Sequence, residues 1–227
     1  MFYCIQAQKR LEKWRKMEKI LEGKRVAVLV ETEYIPKEIA FYKSFFESRG
    51  AVVDFLTYLW NEKEREIVSD VTEKGDVPQT MKVTMEIADV NPNDYDFVLC
   101  AANYVACRLR EIPPMGSLGS ADEVRSPAAV QFMANAMKNP RIVKGMLCHA
   151  LWILTPVPEL LRGRKVICHT VVLADVLNAG GIYVPEPIHA VVDNDLVTAR
   201  SAEDLYIYGE KLLEAYKLAI DRHKGAN

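Results

Sequence analysis

Short apolar runs rich in valine alternate with longer amphipathic stretches along most of this chain. Four such runs occupy residues 25–30, 52–56, 96–102 and 141–147. Because these runs are almost continuously apolar, they are typical of strands that are buried on both faces of a parallel sheet. Their alternation with helical patterns predicts an α/β fold with a doubly wound, mostly parallel sheet sandwiched by helices.

Turn and cap signals predict the bounds of several elements. A proline opens a helix over residues 36–49, and Gly50 ends it. Ser201, followed by Asp204 three residues later, predicts the N-cap of a last helix over residues 202–221. We also expect strands or hairpins at 80–88, 166–169, 189–192 and 196–199, helices at 126–138 and 174–178, and a loop at 112–122 that could lie over the cleft.

The chain begins with a segment of different character. Apolar residues recur at spacings near three, four and seven within residues 5–22, with charged residues between them, and Gly23 follows. This pattern predicts an amphipathic N-terminal helix. We therefore divide the chain into an N-terminal helix over residues 1–23 and an α/β domain over residues 24–227. The apolar face of the helix needs a cover, from its own domain or from another subunit.

Composition argues against several kinds of partner. The net charge of −2 supplies no basic field for a nucleic acid backbone. The N-terminus lacks the long apolar core of a signal peptide, and no later run is long enough to cross a membrane. The five cysteines are scattered, without the paired spacing of a zinc site. We expect a cytoplasmic protein with no metal, no cofactor, and no nucleic acid or membrane partner.

A cysteine followed at once by a histidine, Cys148-His149, stands between an apolar run and a helix-forming run. A sharp strand-to-helix turn exposes its residue above the carboxyl end of the strand, where active sites of such sheets lie. Backbone N–H groups at the start of a helix favour negative charge, so we expect a lowered pKa for Cys148. The structural alternative is an ordinary buried cysteine.

Four motifs, in residues 145–154, 160–165, 175–180 and 191–200, keep an order and spacing that resemble the ThiJ/PfpI superfamily. The resemblance covers about residues 25–217 and is closest to the intracellular protease PfpI branch. It implies a flavodoxin-like sandwich related to class I glutamine amidotransferases. It also implies a nucleophilic cysteine at the elbow and a glutamate from the first strand–helix segment beside it.

The resemblance also implies which side chains form the site. In the family the glutamate lies some twelve residues before the glycine that closes the first helix, which indicates Glu38. Glu31 and Glu33 are neighbouring alternatives, and Glu38 could instead be a solvated charge in the first turn of the helix. A protonated Glu38 would donate to a Cys148 thiolate, and His149 would shuttle protons.

Two positions depart from the family pattern. Ala101 and Ala102 stand where the family usually carries two glycines, and their N–H groups together with that of His149 are the expected oxyanion donors. Cys107 stands before residues 108–110, where the protease branch places a glutamate that completes a triad across a subunit contact. Without that glutamate, proteolysis is the least favoured activity. Cys107 is instead a candidate redox neighbour of the elbow cysteine.

Together these observations predict a small cysteine-dependent enzyme, a hydrolase or a lyase. Its substrate would be a small carbonyl compound, an amide or a related electrophile, as in glyoxalase III, deglycase, hydratase or hydrolase activity. The alternative is a noncatalytic redox sensor or chaperone-like stress protein in which Cys148 is oxidised reversibly. We read His169 and His189 as structural, and we expect a homo-oligomer, either a dimer or a hexamer.

Overall fold

The computed structural model describes residues 19–71, 75, 77–111, 119–185 and 187–224. Most of the predicted N-terminal helix, together with Cys4 and residues 112–118 of the predicted loop, lies outside this part of the chain. The strands are β1 (Arg25–Leu29), β2 (Val52–Thr57), β3 (Arg65–Val68), β4 (Thr80–Val83), β5 (Met85–Glu86), β6 (Phe97–Cys100), β7 (Val143–Leu147), β8 (Lys165–Val166), β9 (Ile182–Tyr183), β10 (Ala190–Asp193) and β11 (Leu196–Ala199).

Within the described residues, five α-helices accompany these strands: α1 (Pro36–Glu47), α2 (Val105–Leu109), α3 (Ala128–Lys138), α4 (Thr170–Asn178) and α5 (Leu205–Lys224). Short 3-10 helices lie at Ile87–Asp89, Pro92–Asp94, Ala121–Glu123, Ala150–Leu154, Pro158–Leu160 and Ala202–Asp204. Across the described residues, no helix combines the length and the apolar character needed to cross a bilayer.

The main sheet has seven strands in the order β10-β11-β7-β6-β1-β2-β5. Every neighbouring pair is parallel except β10 and β11, which form an antiparallel hairpin. The central strands β6 and β7 are buried along their whole length, as their apolar sequences require. The predicted mostly parallel, flavodoxin-like α/β sheet is confirmed.

Helix α1 packs against α5 through the rings of Tyr42 and Tyr208, whose centroids are 6.3 Å apart. The chain that leads into β1 is anchored beside the end of α1, since Leu21 is fully buried and its N–H donates to the carbonyl of Arg49 at 2.9 Å. The predicted cap of the last helix is also confirmed. Ser201 and Asp204 form a capping box, although the first turn is a 3-10 helix and α5 proper begins at Leu205.

A buried charge in β7 interrupts the apolar pattern. Lys144 is fully buried and forms an ion pair with Asp195 in the turn between β10 and β11. Its ammonium also donates to the carbonyl of Asn139 at 3.0 Å, and Arg164 contributes a second cation to Asp195 at 2.8 Å. Burial lowers the pKa of Lys144 to about 8, although the negative charge of Asp195 acts to raise it. Such a pair is costly to break, so it fixes the register of β7 beside β11.

Three local predictions differ from the structure. The run after β7 forms the 3-10 helix Ala150–Leu154 rather than an α-helix. Strand β8 ends at Val166 and pairs with β9 in a separate two-stranded sheet. Helix α4 is longer than predicted because the imidazole of His169 accepts a hydrogen bond from the Val171 N–H at 3.2 Å and caps the helix.

Gly145 lies in β7, beneath the elbow, and faces α5. A Cβ at this position would overlap the Tyr208 hydroxyl and lie 2.5 Å from a methyl carbon of Leu99. We expect Gly145→Ala to lower the free energy of unfolding by roughly 1–3 kcal/mol, as overpacked cores do. Urea denaturation measures the loss. The double variant Gly145→Ala, Tyr208→Phe should recover part of it, and unchanged stability of Gly145→Ala would contradict this packing.

Candidate active site

Cys148 occupies a strained turn at the carboxyl end of β7. Its φ is 59°, in the left-handed region, and the residue is 8% exposed. The Cys148 N–H donates to the carbonyl of Ala199 at 2.9 Å, and its carbonyl accepts from the His169 N–H at 3.2 Å. A left-handed backbone at a residue other than glycine costs about 1–3 kcal/mol and persists only where the surroundings enforce it. These two hydrogen bonds hold the elbow that the sequence predicts.

The Cys148 side chain lines a cavity of about 740 Å³. The cavity lies between the start of α1, residues 70 and 77–79 near the ends of β3 and β4, and the chain entering α5. Lys37 and Glu203 form an ion pair at 3.2 Å within this lining. The other lining residues are Ile35, Pro36, Asp70, Val77, Pro78, Gln79, Ser201 and Ala202. A small molecule that reaches Cys148 therefore meets both charged and apolar groups.

Glu38 lies in the first turn of α1 and is fully buried, so it is not a solvated helix charge. Its carboxyl oxygens accept the Ala102 N–H at 2.9 and 3.1 Å and the Tyr42 hydroxyl at 2.6 Å. Burial raises the pKa of Glu38 to about 7, while these hydrogen bonds oppose the shift. Both protonation states of Glu38 are therefore populated at neutral pH.

The alternative carboxylates have other partners. Glu31 pairs with Arg65 at 2.5 Å and accepts the Thr57 hydroxyl at 3.0 Å. Glu33 pairs with Arg108 at 2.9 Å. Glu38 is close enough for its charge to act on Cys148, but among the described residues no hydrogen bond joins its carboxyl group to the sulfur. The predicted donation from Glu38 to Cys148 is therefore absent from this structure.

The prediction of a lowered pKa for Cys148 is wrong. Burial raises the pKa of this thiol to about 12, and the negative charge of Glu38 acts in the same direction. The backbone groups of His149 and Asn103 favour the thiolate but do not overcome burial. The pKa is raised because the thiol lies in a low-dielectric pocket, which disfavours its charged form. The elbow leads only into a five-residue 3-10 helix rather than a longer α-helix. At neutral pH the sulfur is a thiol.

The expected oxyanion donors are also corrected. The Ala101 N–H donates to the carbonyl of Leu29 at 2.9 Å, and the Ala102 N–H donates to Glu38. The backbone groups that approach the Cys148 sulfur are those of Asn103, the residue after Ala102, and of His149. The sequence held a signal for a left-handed residue at Asn103 rather than at Ala101 or Ala102, since asparagine tolerates that conformation far better than alanine.

Asn103 is held firmly in that conformation. Its φ is 61°, and it is buried. Its side-chain amide donates to the carbonyl of Glu33 at 2.9 Å and to the carboxylate of Asp70 at 2.7 Å. Because Asp70 also lines the cavity, Asn103 joins the cavity wall to the backbone beside Cys148.

His149 lies in an aromatic cluster next to the elbow. It is 8% exposed, and its ring centroid is 5.6 Å from that of Tyr104, 5.2 Å from that of Trp152 and 4.9 Å from that of His169. Burial, and secondarily the charge of His169, lowers the pKa of His149, so its ring is neutral. Neither ring nitrogen has a hydrogen-bond partner of normal geometry among the described residues, and the backbone of Asn103 only partly opposes the lowering of the pKa. His169, predicted as structural, both caps α4 and borders this cluster.

Cys107 is half-buried in α2 and acts electrostatically on Cys100. The thiol that acts on Cys148 is instead that of Cys168, which the sequence did not single out. The cysteine whose charge reaches Cys148 therefore comes from the segment after β8, whereas that of Cys107 reaches Cys100. Among the described residues, no three His, Cys, Asp or Glu side chains group together as metal ligands.

The fold and the elbow cysteine define a class of flavodoxin-like proteins with a potential nucleophile at the carboxyl edge of the sheet. The sequence model described as the DJ-1/PfpI family matches residues 112–215. The match over these residues confirms the predicted resemblance to this family. No curated protein gives a significant match to it.

Solved structures share this fold at low sequence identity. A two-domain protein from Anabaena variabilis, with DJ-1/ThiJ/PfpI-like and ferritin-like domains, is 22% identical with a TM-score of 0.68; the match covers 87% of this chain and 54% of that protein. A ThiJ/PfpI domain protein from Brachyspira murdochii is 13% identical with a TM-score of 0.63, and the match covers 86% of this chain and 97% of that one. Schizosaccharomyces pombe DJ-1 is 17% identical with a TM-score of 0.62, and the match covers 87% of this chain and 97% of that one.

The raised pKa of Glu38 predicts a pH-dependent stability. With its pKa raised from 4.5 to about 7 on folding, Glu38 stabilises the fold most below pH 4.5, and this contribution is lost as the pH rises through 7. Glutamine at this position stays neutral throughout. Between pH 4 and pH 8, Glu38→Gln should therefore gain about 3 kcal/mol of unfolding free energy relative to the wild type.

Urea denaturation at pH 4, 6 and 8 measures this difference. The control is Glu47→Gln, which makes the same substitution at an exposed position of α1 and should show a constant difference from the wild type. A constant difference for Glu38→Gln as well would contradict the raised pKa.

Proposed function

We propose that this chain is a cysteine-dependent enzyme, a hydrolase or a lyase, whose Cys148 sulfur adds to the electrophilic carbon of a small carbonyl or amide compound. The observation that carries the proposal is the left-handed Cys148 on the wall of the cavity. Strained residues cluster at active sites because the strain is tolerated where it positions a reacting group. A buried structural cysteine would have no need of this conformation.

The chemistry must begin from a thiol, because the raised pKa of Cys148 keeps the sulfur protonated. As the sulfur forms its bond to the carbonyl carbon, the thiol proton must leave and the carbonyl oxygen must gain charge. His149 is the candidate proton acceptor, since its ring is neutral and neither nitrogen has a hydrogen-bond partner of normal geometry among the described residues. The backbone N–H groups of Asn103 and His149 are the candidate donors to the developing oxyanion.

The cavity limits the substrate class. Its volume of about 740 Å³ falls within the range typical of small-molecule sites. The charged pair Lys37–Glu203 suits a polar substrate, whereas Ile35 and Pro36 suit a short carbon chain. A 2-oxoaldehyde or a small amide meets both requirements. Peptide cleavage is not proposed, because Cys107 stands where the protease branch needs a carboxylate.

A second candidate function is a noncatalytic redox sensor or chaperone-like stress protein. The observation that favours it is the buried thiol of Cys168, which is close enough to act electrostatically on Cys148. A sensor needs an oxidisable sulfur, and a neighbouring thiol makes the oxidation reversible.

Turnover assays separate the two functions. We expect wild-type protein to convert methylglyoxal, or one of a panel of small amides. The turnover rate of Cys148→Ser should be lower by a factor of about 100 or more. Cys107→Ser, which alters a cysteine outside the lining of the cavity, is the matched control and should retain activity. If wild-type protein converts none of these compounds while a hydroperoxide oxidises Cys148 much faster than the other cysteines, the sensor function is correct.

We also propose that the chain forms a homo-oligomer, a dimer or a hexamer, with a small molecule as its other partner. Among the described residues, α5 exposes Tyr206 at 74% and Leu218 at 47% on the wall of one groove. A second copy of the chain would cover these residues and the apolar stripe in residues 5–22.

Light scattering tests the assembly. We expect the full chain to have at least twice the 25.7 kDa mass of one copy, and a variant without residues 1–18, which keeps the buried Leu21, to associate less. Monomers in both samples would contradict the assembly, independently of any result on turnover.

A further inference from the structure

We propose that Cys148 and Cys168 form a reversible intramolecular disulfide when a hydroperoxide oxidises Cys148. This inference concerns a modification of the elbow cysteine, and it holds whether or not Cys148 is also a catalytic nucleophile. It assigns a role to Cys168, which the proposed reaction does not use.

The backbone brings the two cysteines together. The His169 N–H donates to the Cys148 carbonyl at 3.2 Å, so the residue before the donor, Cys168, lies alongside Cys148. The Cys168 thiol also acts electrostatically on that of Cys148, so the two side chains lie near each other. A disulfide needs Cα atoms about 4.4–6.8 Å apart.

Both cysteines are also anchored to the end of β11. The Cys148 N–H donates to the carbonyl of Ala199 at 2.9 Å. One residue before Cys168, the Ile167 N–H donates to the Thr198 hydroxyl at 2.9 Å. Because consecutive residues of one strand hold the two segments, the cysteines keep this relative position without a large movement of the backbone.

The two thiols differ in access. Cys148 lines the cavity, whereas Cys168 is 1% exposed and does not line it. A small hydroperoxide in the cavity therefore meets Cys148 first. The interior thiol can then react only with a neighbouring group, which is the arrangement that a resolving cysteine needs.

Charge around Cys168 also bears on its reactivity. Burial raises the pKa of Cys168 to about 12, but the positive charge of Arg200 acts in the opposite direction. Arg200 follows Ala199, the residue that anchors Cys148. The cation therefore stabilises the negative charge that develops on Cys168 as it attacks a neighbouring sulfur.

The chemistry balances without any further co-reactant. The hydroperoxide transfers one oxygen to the Cys148 sulfur, which loses two electrons and becomes a sulfenic acid, while the peroxide is reduced to an alcohol or to water. The Cys168 sulfur then attacks the Cys148 sulfur, so the S–S bond forms and the S–O bond breaks. The leaving hydroxide combines with the Cys168 proton as water. An external dithiol restores both thiols by exchange.

The disulfide would protect the elbow from irreversible damage. A sulfenic acid left without a partner thiol is oxidised further to a sulfinic acid, which ordinary thiols do not reduce. Capture by Cys168 competes with that second oxidation. The elbow cysteine would then be switched off by oxidant and restored by reductant.

Peptide mass spectrometry on the full chain tests the proposal. The protein is treated with a small excess of hydrogen peroxide at neutral pH, remaining thiols are alkylated, and the digest is analysed without reductant. We expect a crosslinked peptide pair containing Cys148 and Cys168, lighter than the sum of the two thiol peptides by two hydrogen atoms. Dithiothreitol should restore both thiols.

Two variants sharpen the result. In Cys168→Ser the crosslink should disappear, and the fraction of Cys148 present as sulfinic acid should rise at least tenfold over the wild type. Cys107→Ser removes a cysteine that is not part of this pair, so it should behave as the wild type does. Circular dichroism of each reduced variant verifies folding, and Cys168→Ala replaces the serine variant if that one misfolds.

Two outcomes overturn the proposal. One is wild-type Cys148 that becomes sulfenic or sulfinic acid without a Cys148–Cys168 crosslink. The other is a crosslink from Cys148 to Cys107 or Cys100 in the folded protein. Turnover by the fully reduced wild-type protein is measured separately, so failure of the disulfide and failure of the proposed enzyme are distinguishable.

Discussion

The strained turn at Cys148 depends on hydrogen bonds to two neighbouring segments of chain. Its N–H is held by Ala199 at the end of β11, and its carbonyl is held by the N–H of His169 before α4. These contacts keep the residue left-handed and place its sulfur on the cavity wall. The parallel strands β7 and β11, whose register the buried Lys144–Asp195 pair supports, bring the contacts into position. Both proposals for Cys148 rest on this one turn.

Burial dominates the electrostatics of the site. It raises the pKa of Glu38 to about 7 and that of Cys148 to about 12, and it lowers the pKa of His149. In a pocket of low dielectric, the neutral forms are favoured over isolated charges. The resting site at neutral pH is therefore a thiol beside a neutral imidazole and a half-protonated carboxyl group. Any reaction at Cys148 must move a proton as it makes a bond.

The elements that sequence reasoning found are those with a strong local signal. The buried strands, helix α1 and the cap at Ser201 follow from apolar runs, a proline and a capping pair. Glu38 was indicated by the resemblance to the ThiJ/PfpI superfamily, in which the glutamate stands about twelve residues before the glycine that closes the first helix. Sequence reasoning missed Asn103 as the left-handed residue and Cys168 as the neighbouring thiol. The asparagine at position 103 was a local signal for a left-handed backbone. Its place beside the sulfur, like that of Cys168, depends on contacts between segments far apart in the chain.

The sequence by itself determined the α/β class and the strand that leads to Cys148, and it indicated the resemblance to the ThiJ/PfpI superfamily. Periodicity and turn chemistry act over a few residues, so they can be read without knowing what packs against them. Only the tertiary structure decided the protonation of Cys148, the donors around it and the thiol beside it. These properties arise from desolvation and from contacts between β7, β11 and the segment before α4. Such effects exist only once the chain has folded around the site.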